Sequence, residues 1–393
     1  MIHLAIVNYA YAPDLDSPDA LLARYFSLVS WADGLALAAR LSSPKSGAQV
    51  TVAQAFATDA QCERNGVTYR FVNDGLGPHP RAWQIPSRLH DAVLQVQPDV
   101  VHVNGLLFPL QTWALRQRLL PSCALVAQHH AERPWTGLRG AAQRLALRSC
   151  DGFLFTAAAL AQPWQAAGVI HPTQPVFEIM EGTSDFGIRS RTEARAITGM
   201  TGDPILFWAG NLDANKDPLT ILAGFELALA QLPSARLYMA FRFADLLPEV
   251  QACLAQRPAL AGAVKLLGAL PRADIEAHFN SADFFVQGSH HESTGYALLD
   301  ALACGVVPIV TDIPSFRVLT DGGALGALWP PGDAHAFAAA LAACVQRPLA
   351  PQIAAVHEFF DAHLSVPAVG RQALAIYQSL HLRRSGRQPR EAA

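Results

Sequence analysis

Short apolar runs alternate with longer amphipathic stretches along this chain, and the alternation breaks and restarts once, near residue 185. The first series reads as strands over 4–10, 49–56, 100–105, 123–130 and 152–157, with helices over 21–41, 87–97 and 112–120. The second reads as strands over 204–210, 236–241, 264–270, 283–289 and 306–312, with helices over 190–198, 217–232, 273–282 and 295–305, the last ended by Gly305. Strand–helix alternation implies a mostly parallel sheet covered by helices on both faces. Two such series imply two doubly wound α/β domains, and a ligand beyond the carboxyl ends of the strands, where helix N-termini offer free N–H groups.

Composition removes several function classes. Of the 393 residues, 51% are hydrophobic and 16% charged, enough apolar material for two cores and too little charge for a disordered chain. The formal net charge of −3 provides no global basic field for nucleic acid. The six cysteines form no CxxC pair and read as free thiols of a reducing compartment. The start MIHLAIVNYAYAPD lacks a basic leader, and Asp300 interrupts the apolar run YALLDALACGVVPIV, so the expectation is a cytoplasmic protein without a spanning helix. Peripheral membrane contact stays open. Neither GxGxxG nor GxxxxGK[ST] occurs, which argues against a dinucleotide-dependent oxidoreductase or a P-loop NTPase.

The most informative segment is SHHESTGYALLDALACGVVPIVTD, residues 289–312. Glu292 closes a loop after a strand, Ser293-Thr294-Gly295 forms a small turn, Tyr296 opens a helix, and Asp300 lies a little over two turns from Glu292. One carboxylate can bond sugar hydroxyls and the other ribose hydroxyls, with the helix N-terminus towards phosphate. The spacing by itself also suits a helix cap followed by a solvated acid.

This segment resembles the donor-site signature of the retaining GT-B glycosyltransferases of family 4, a glutamate, seven residues and a second glutamate; here the pair is Glu292 and Asp300. The order VKLLGAL, SADFFVQGS, HESTGYALLDALACGVVPIVTDIPSFR and WPPGD is similar too, as is ILFWAGNLDANKDPLTILAGFELAL, which supplies Lys216 at the family's phosphate-binding lysine. In the first half, VVHVNG, ALVAQHH and EIMEGTSDF resemble family landmarks.

The resemblance implies a GT-B fold: two Rossmann-like domains, residues 1–185 on the acceptor side and 186–365 on the donor side, facing an interdomain cleft. A final helix within 366–383 crosses back to the first domain. It implies a retaining hexosyl transfer from a nucleotide-diphosphate sugar to a glycan, lipid-linked or small-molecule acceptor, in cell-surface glycan or glycoconjugate synthesis, with no cofactor and no metal. Lys216, Glu292 and His129 would be catalytic, and Asn211, Lys216, Glu292, Ser293, Thr294, Gly295, Tyr296 and Asp300 would bind the donor. His129 is taken over His130 because strand alternation turns neighbouring side chains opposite ways.

Three departures mark this sequence. Asp300 is one methylene shorter than the usual glutamate, Asn211 stands where an arginine is common, and NYAYAPDLDSPDA replaces a glycine-rich first loop. Asp300 and Asn211 keep two other readings in view: a non-catalytic sugar-nucleotide-binding homologue, and a GT-B epimerase acting on a nucleotide sugar.

Overall fold

The computed structural model describes residues 2–42, 47–77 and 80–386. The chain forms two units, one of Met1–Thr183 together with Val366–Ala393 and the other of Ser184–Ser365. In each, β-branched and aromatic runs become strands of one sheet.

The first unit contributes β1 (Ile2–Asn8), β2 (Ala48–Ala55), β3 (Ala60–Arg64), β4 (Val67–Val72), β5 (Val100–Asn104), β6 (Ala124–Gln128), β7 (Gly152–Phe155) and β8 (Val176–Glu178), in the order β3-β4-β2-β1-β5-β6-β7-β8. All pairings are parallel except β3 with β4. The middle strands are buried along their length, as β6 shows with five consecutive buried residues. Strand order reverses between β1 and β5, whose ends meet where Asn104 Nδ2 donates to Asn8 Oδ1 at 2.7 Å.

The second unit contributes β9 (Ile205–Gly210), β10 (Arg236–Phe241), β11 (Val264–Gly268), β12 (Phe284–Gln287), β13 (Val307–Thr311) and β14 (Ala327–Trp329), all parallel, in the order β11-β10-β9-β12-β13-β14. Here the reversal lies between β9 and β12. Leu206, Trp208, Phe225, Leu237, Val286, Ile309, Trp329 and Phe337 belong to its core. The doubly wound α/β class read from the sequence is the class the chain adopts.

Several elements differ from the reading. The stretch 21–41 is two helices, Pro18–Arg24 and Phe26–Leu41, because Tyr25 leaves helical geometry at φ −98°, ψ 63°. The β3–β4 hairpin was passed over, since AQCER is a polar edge strand with little apolar alternation. Helices Gly137–Leu147, Leu247–Gln256 and Leu349–Phe359 were also missed. Among the described residues, no helix is long and apolar enough to cross a membrane.

The last helix, Val366–Arg384, packs against Phe26–Leu41 within the first unit. Two glycines make that approach: a Cβ on Gly370 would stand 2.0 Å from the carbonyl oxygen of Gly34. Beside them Trp31 Nε1 donates to the Tyr377 hydroxyl at 3.2 Å, which donates to His102 Nδ1 at 2.7 Å. Burial lowers the His102 pKa to about 3, so its ring is the neutral acceptor this chain needs. Gly370→Val should therefore lower stability by about 3 kcal/mol or more, since backbone, not a movable side chain, blocks the new atoms. Chemical denaturation measures it; a loss below about 1 kcal/mol would contradict this packing.

Candidate functional site

In the second unit the polar residues gather at the carboxyl ends of β9 and β12, where open parallel sheets leave a crevice. Two loops meet there, one after each strand. Asn215 joins them: its Nδ2 donates to the His291 carbonyl at 3.0 Å, its Oδ1 accepts from His291 N at 3.0 Å, and its carbonyl accepts from His290 N at 2.8 Å. Asp213 Oδ1 accepts from Lys216 N at 2.9 Å. Asp217, at φ 43°, caps helix Pro218–Leu229 through Thr220 N and meets His290 Nε2 at 3.0 Å.

This stitching brings Lys216 Nζ onto Glu292 Oε1 as an ion pair, with the two side chains 16% and 14% exposed. At that burial the attraction is screened far less than between surface charges. Neither charge is sealed off, so each remains available to a competing partner. Ser293 and Thr294 follow, both buried, and then Gly295 at φ +84°, the left-handed cap of helix Tyr296–Ala303. A side chain at Gly295 would also collide with the Phe316 ring, at 2.5 Å. Tyr296 is exposed.

One helical turn on, Asp300 and Asn211 line one recess of about 390 Å³, together with Gly210, Arg242, Leu270 and Ala297. Ser184 Oγ donates to Asp300 Oδ1 at 2.5 Å. Burial pushes the Asp300 carboxyl up to about 6, against the opposing effects of the Ser184 hydrogen bond and the Arg272 charge. The Cys304 thiol, at the C-terminal cap of the same helix, is also pushed up by burial, and further by the charges of Asp300 and Glu276.

The histidine pair in the first unit departs from expectation. His129 is buried at 2% exposure, stacked on Phe155 with ring centroids 4.7 Å apart, and its Nε2 donates to the Glu132 carbonyl at 3.0 Å. Burial lowers its pKa. His130, by contrast, lines a recess of about 400 Å³ with Asn8, Gln54, Asn104, Glu132 and Glu181. Its Nδ1 donates to Glu181 Oε2 at 2.6 Å. Burial alone would lower the His130 pKa, but the Glu181 hydrogen bond and the charges of Glu181 and Glu132 outweigh it and raise it. Of the pair, then, His129, taken from the sequence as the catalytic histidine, is packed in the interior, and His130 is the one that lines the recess. Alternation failed because β6 ends at Gln128 and the chain turns at Ala131, φ 66°.

The sequence reading also missed Arg242, Ser184 and Glu181. Arg242 follows a strand end directly, which was a usable signal. Ser184 lies 116 residues from Asp300, and nothing local announces their bond. His290 and His291 hold the two loops together.

Residues 203–347 match the family model of glycosyl transferases group 1. A GDP-mannose:cellobiosyl-diphosphopolyprenol alpha-mannosyltransferase of Xanthomonas campestris is 29% identical over 243 residues, 57% of this chain and 59% of that protein. A D-inositol 3-phosphate glycosyltransferase of Geodermatophilus obscurus is 30% identical over 165 residues, 40% of this chain and 37% of its own length. The alignments thus span less than two thirds of these relatives. Among solved structures, sucrose-phosphate synthase from Thermosynechococcus elongatus superposes with a TM-score of 0.68 at 18% identity, over 97% of this chain and 99% of that one. Anabaena HepE in complex with UDP and glucose gives 0.66 at 16%, over 96% and 100%. The fold is that of the GT-B glycosyltransferases, and the stretch that matches the glycosyl transferases group 1 model, 203–347, holds Asn211, Lys216, Glu292 and Asp300.

Proposed function

We propose that the protein is a retaining glycosyltransferase that moves a hexose-type sugar from a nucleotide-diphosphate donor to an acceptor hydroxyl, in the making of a cell-surface glycan or glycoconjugate. The observation that carries this reading is the Lys216–Glu292 pair at the strand-order reversal, beside a recess lined by Asn211 and Asp300. The relatives named above are a mannosyltransferase and an inositol-phosphate glycosyltransferase, and one solved neighbour was obtained with UDP and glucose. These names support sugar transfer from a nucleotide donor and differ in the acceptor.

In this reading Asp300 takes the ribose hydroxyls in the recess and the diphosphate lies across the turn Ser293-Thr294-Gly295, towards the N–H groups of helix Tyr296–Ala303. The arriving phosphate competes with Glu292 for the Lys216 ammonium. Glu292, released, turns to the hydroxyls of the transferred sugar. As the glycosidic bond breaks, charge grows on the leaving diphosphate, and Lys216 with the helix N-terminus stabilises it. The acceptor oxygen attacks from the same face and its proton passes to the leaving phosphate, which retains the anomeric configuration. No metal or cofactor is assigned to these steps.

Lys216→Ala should cut kcat/KM by about 10²–10³, the effect of removing one donor from a developing anion. A folded Lys216→Ala variant with normal turnover would remove this lysine from the site. Glu292→Gln should depress transfer yet bind the nucleoside diphosphate at least as tightly as the parent, because the carboxylate no longer competes for Lys216. Weaker diphosphate binding in Glu292→Gln, read by calorimetry, would argue against that competition.

Asp300→Asn should move two quantities in opposite directions. Diphosphate binding should weaken about tenfold, through loss of a charge-assisted bond to a hydroxyl. Stability of the unliganded protein should rise. Native Asp300 keeps its proton up to about pH 6, the unfolded chain only to about 3.9, so between those values the native state binds more protons and stability falls as pH rises. At pH 7.5 Asp300→Asn should be more stable than the parent by on the order of 1–2 kcal/mol, and the difference should vanish below about pH 4. Denaturation at the two pH values, with diphosphate titration at pH 7.5, checks both.

A further inference from the structure

Next to the His130 recess, the first unit holds a second cavity of about 230 Å³, walled by Tyr9, Phe56, Leu76, Leu107, Phe108 and Trp135. Tyr11 and Arg81 also line it, the Arg81 guanidinium lying 5.4 Å from the centre of the Trp83 ring, and several of the other polar groups in its wall are already engaged. The Tyr9 hydroxyl is hydrogen-bonded to His90 Nε2 at 2.9 Å. Gln111 Nε2 donates to the Ala82 and Gln84 carbonyls, both at 2.9 Å. The Asp74 carboxylate accepts from Arg88 N and Leu89 N at 2.7 and 3.1 Å. Asn73 Oδ1 accepts from Gly75 N at 2.8 Å, and its Nδ2 donates to the Ala57 carbonyl at 2.7 Å. At these engaged groups a polar occupant would lose its water and gain little in return, whereas an apolar one packed against Phe56, Leu76, Leu107 and Phe108 gains by leaving water.

The two cavities share Leu107 and Phe108. The His130 recess differs in holding two carboxylates, Glu132 and Glu181, whose oxygens have lone pairs left for hydroxyls beyond the bonds they accept from Leu106 N, His130 N and the His130 ring, beside the paired amides of Asn8 and Asn104. The surface around the apolar cavity has the same character as its interior. The loop that supplies Ala82 and Gln84 exposes Trp83 and Ile85, and the helix that supplies Gln111, Pro109–Arg116, exposes Trp113.

We propose that this pair of cavities binds an amphipathic acceptor, with its hydroxyl-bearing head in the His130 recess and an alkyl or aryl group in the cavity of Tyr9, Phe56 and Trp135. The proposal rests on the reading that the first unit carries the acceptor of a glycosyl transfer, and it names the class of that acceptor. A free sugar fills only the polar half, and its affinity is correspondingly low.

The test uses the full chain and alkyl β-glucosides with methyl, butyl, hexyl and octyl groups, titrated calorimetrically below their micelle-forming concentrations. Affinity should rise with chain length by up to about fourfold per buried methylene, so hexyl glucoside should bind at least about tenfold tighter than methyl glucoside. Ala55, the last residue of β2, lines the apolar cavity, and Ala55→Phe should fill it and close that gap. Should Ala55→Phe fail to fold, Leu76→Trp fills the cavity from its loop and serves the same end. The same samples are titrated with UDP, GDP and ADP, and assayed for transfer from their sugars. Length-dependent binding that disappears on filling supports the proposal even where no sugar is transferred, in which case the transferase reading fails by itself. A flat series, or a gap untouched in the folded filled variant, overturns the proposal even where transfer proceeds.

Discussion

The reversal of strand order between β9 and β12 is the constraint from which the rest of the second unit's site follows. At a reversal the connections leave to opposite sides, so the two strand-end loops are free to approach over the gap. Asn215 then fixes their separation with three hydrogen bonds to residues 290 and 291. Lys216 follows Asn215 and Glu292 follows His291, so the ion pair is a direct result of where the backbone has been pinned. The acid and base need no long-range coincidence to meet.

The two acidic residues of the helical segment occupy different physical settings. Glu292 is held by a cation and lies in a loop. Asp300 is hydrogen-bonded by a neutral hydroxyl and withdrawn from water, and burial outweighs the Arg272 charge, so its pKa rises. A carboxylate kept in such surroundings without a cation in direct contact lowers the stability of the empty protein. Strained or costly polar groups of this kind concentrate at sites where a ligand completes their hydrogen bonding.

The sequence was most legible where local chemistry is dense. RLYMAF reads as a strand over 236–241, and the structure has it there; the helix read over 190–198 is found at Arg191–Thr198, where Ser190 caps the first turn and Gly199 ends the last. The turn before Tyr296 also reads correctly, since Gly295 takes the left-handed geometry that only a residue without a Cβ accepts there. Legibility failed where a decision depends on distant residues. Lys216 and Glu292 were each singled out, but not as partners, because 76 residues separate them. His129 and His130 were ranked by strand alternation, and the outcome was set by Glu181 and by a turn after the strand had ended. Polar edge elements such as AQCER leave no apolar pattern to read.

The last helix belongs to the unit that begins the chain, whereas the other unit is continuous from Ser184 to Ser365. During synthesis the continuous unit is therefore complete while the first still lacks the partner for its Phe26–Leu41 face. Until residues beyond 366 emerge, Gly34 and the Trp31 indole face water rather than Gly370 and Tyr377. Nascent chains finish domains in the order their segments become available. This architecture makes the N-terminal unit close after the unit Ser184–Ser365, and leaves the Phe26–Leu41 face uncovered in the interval.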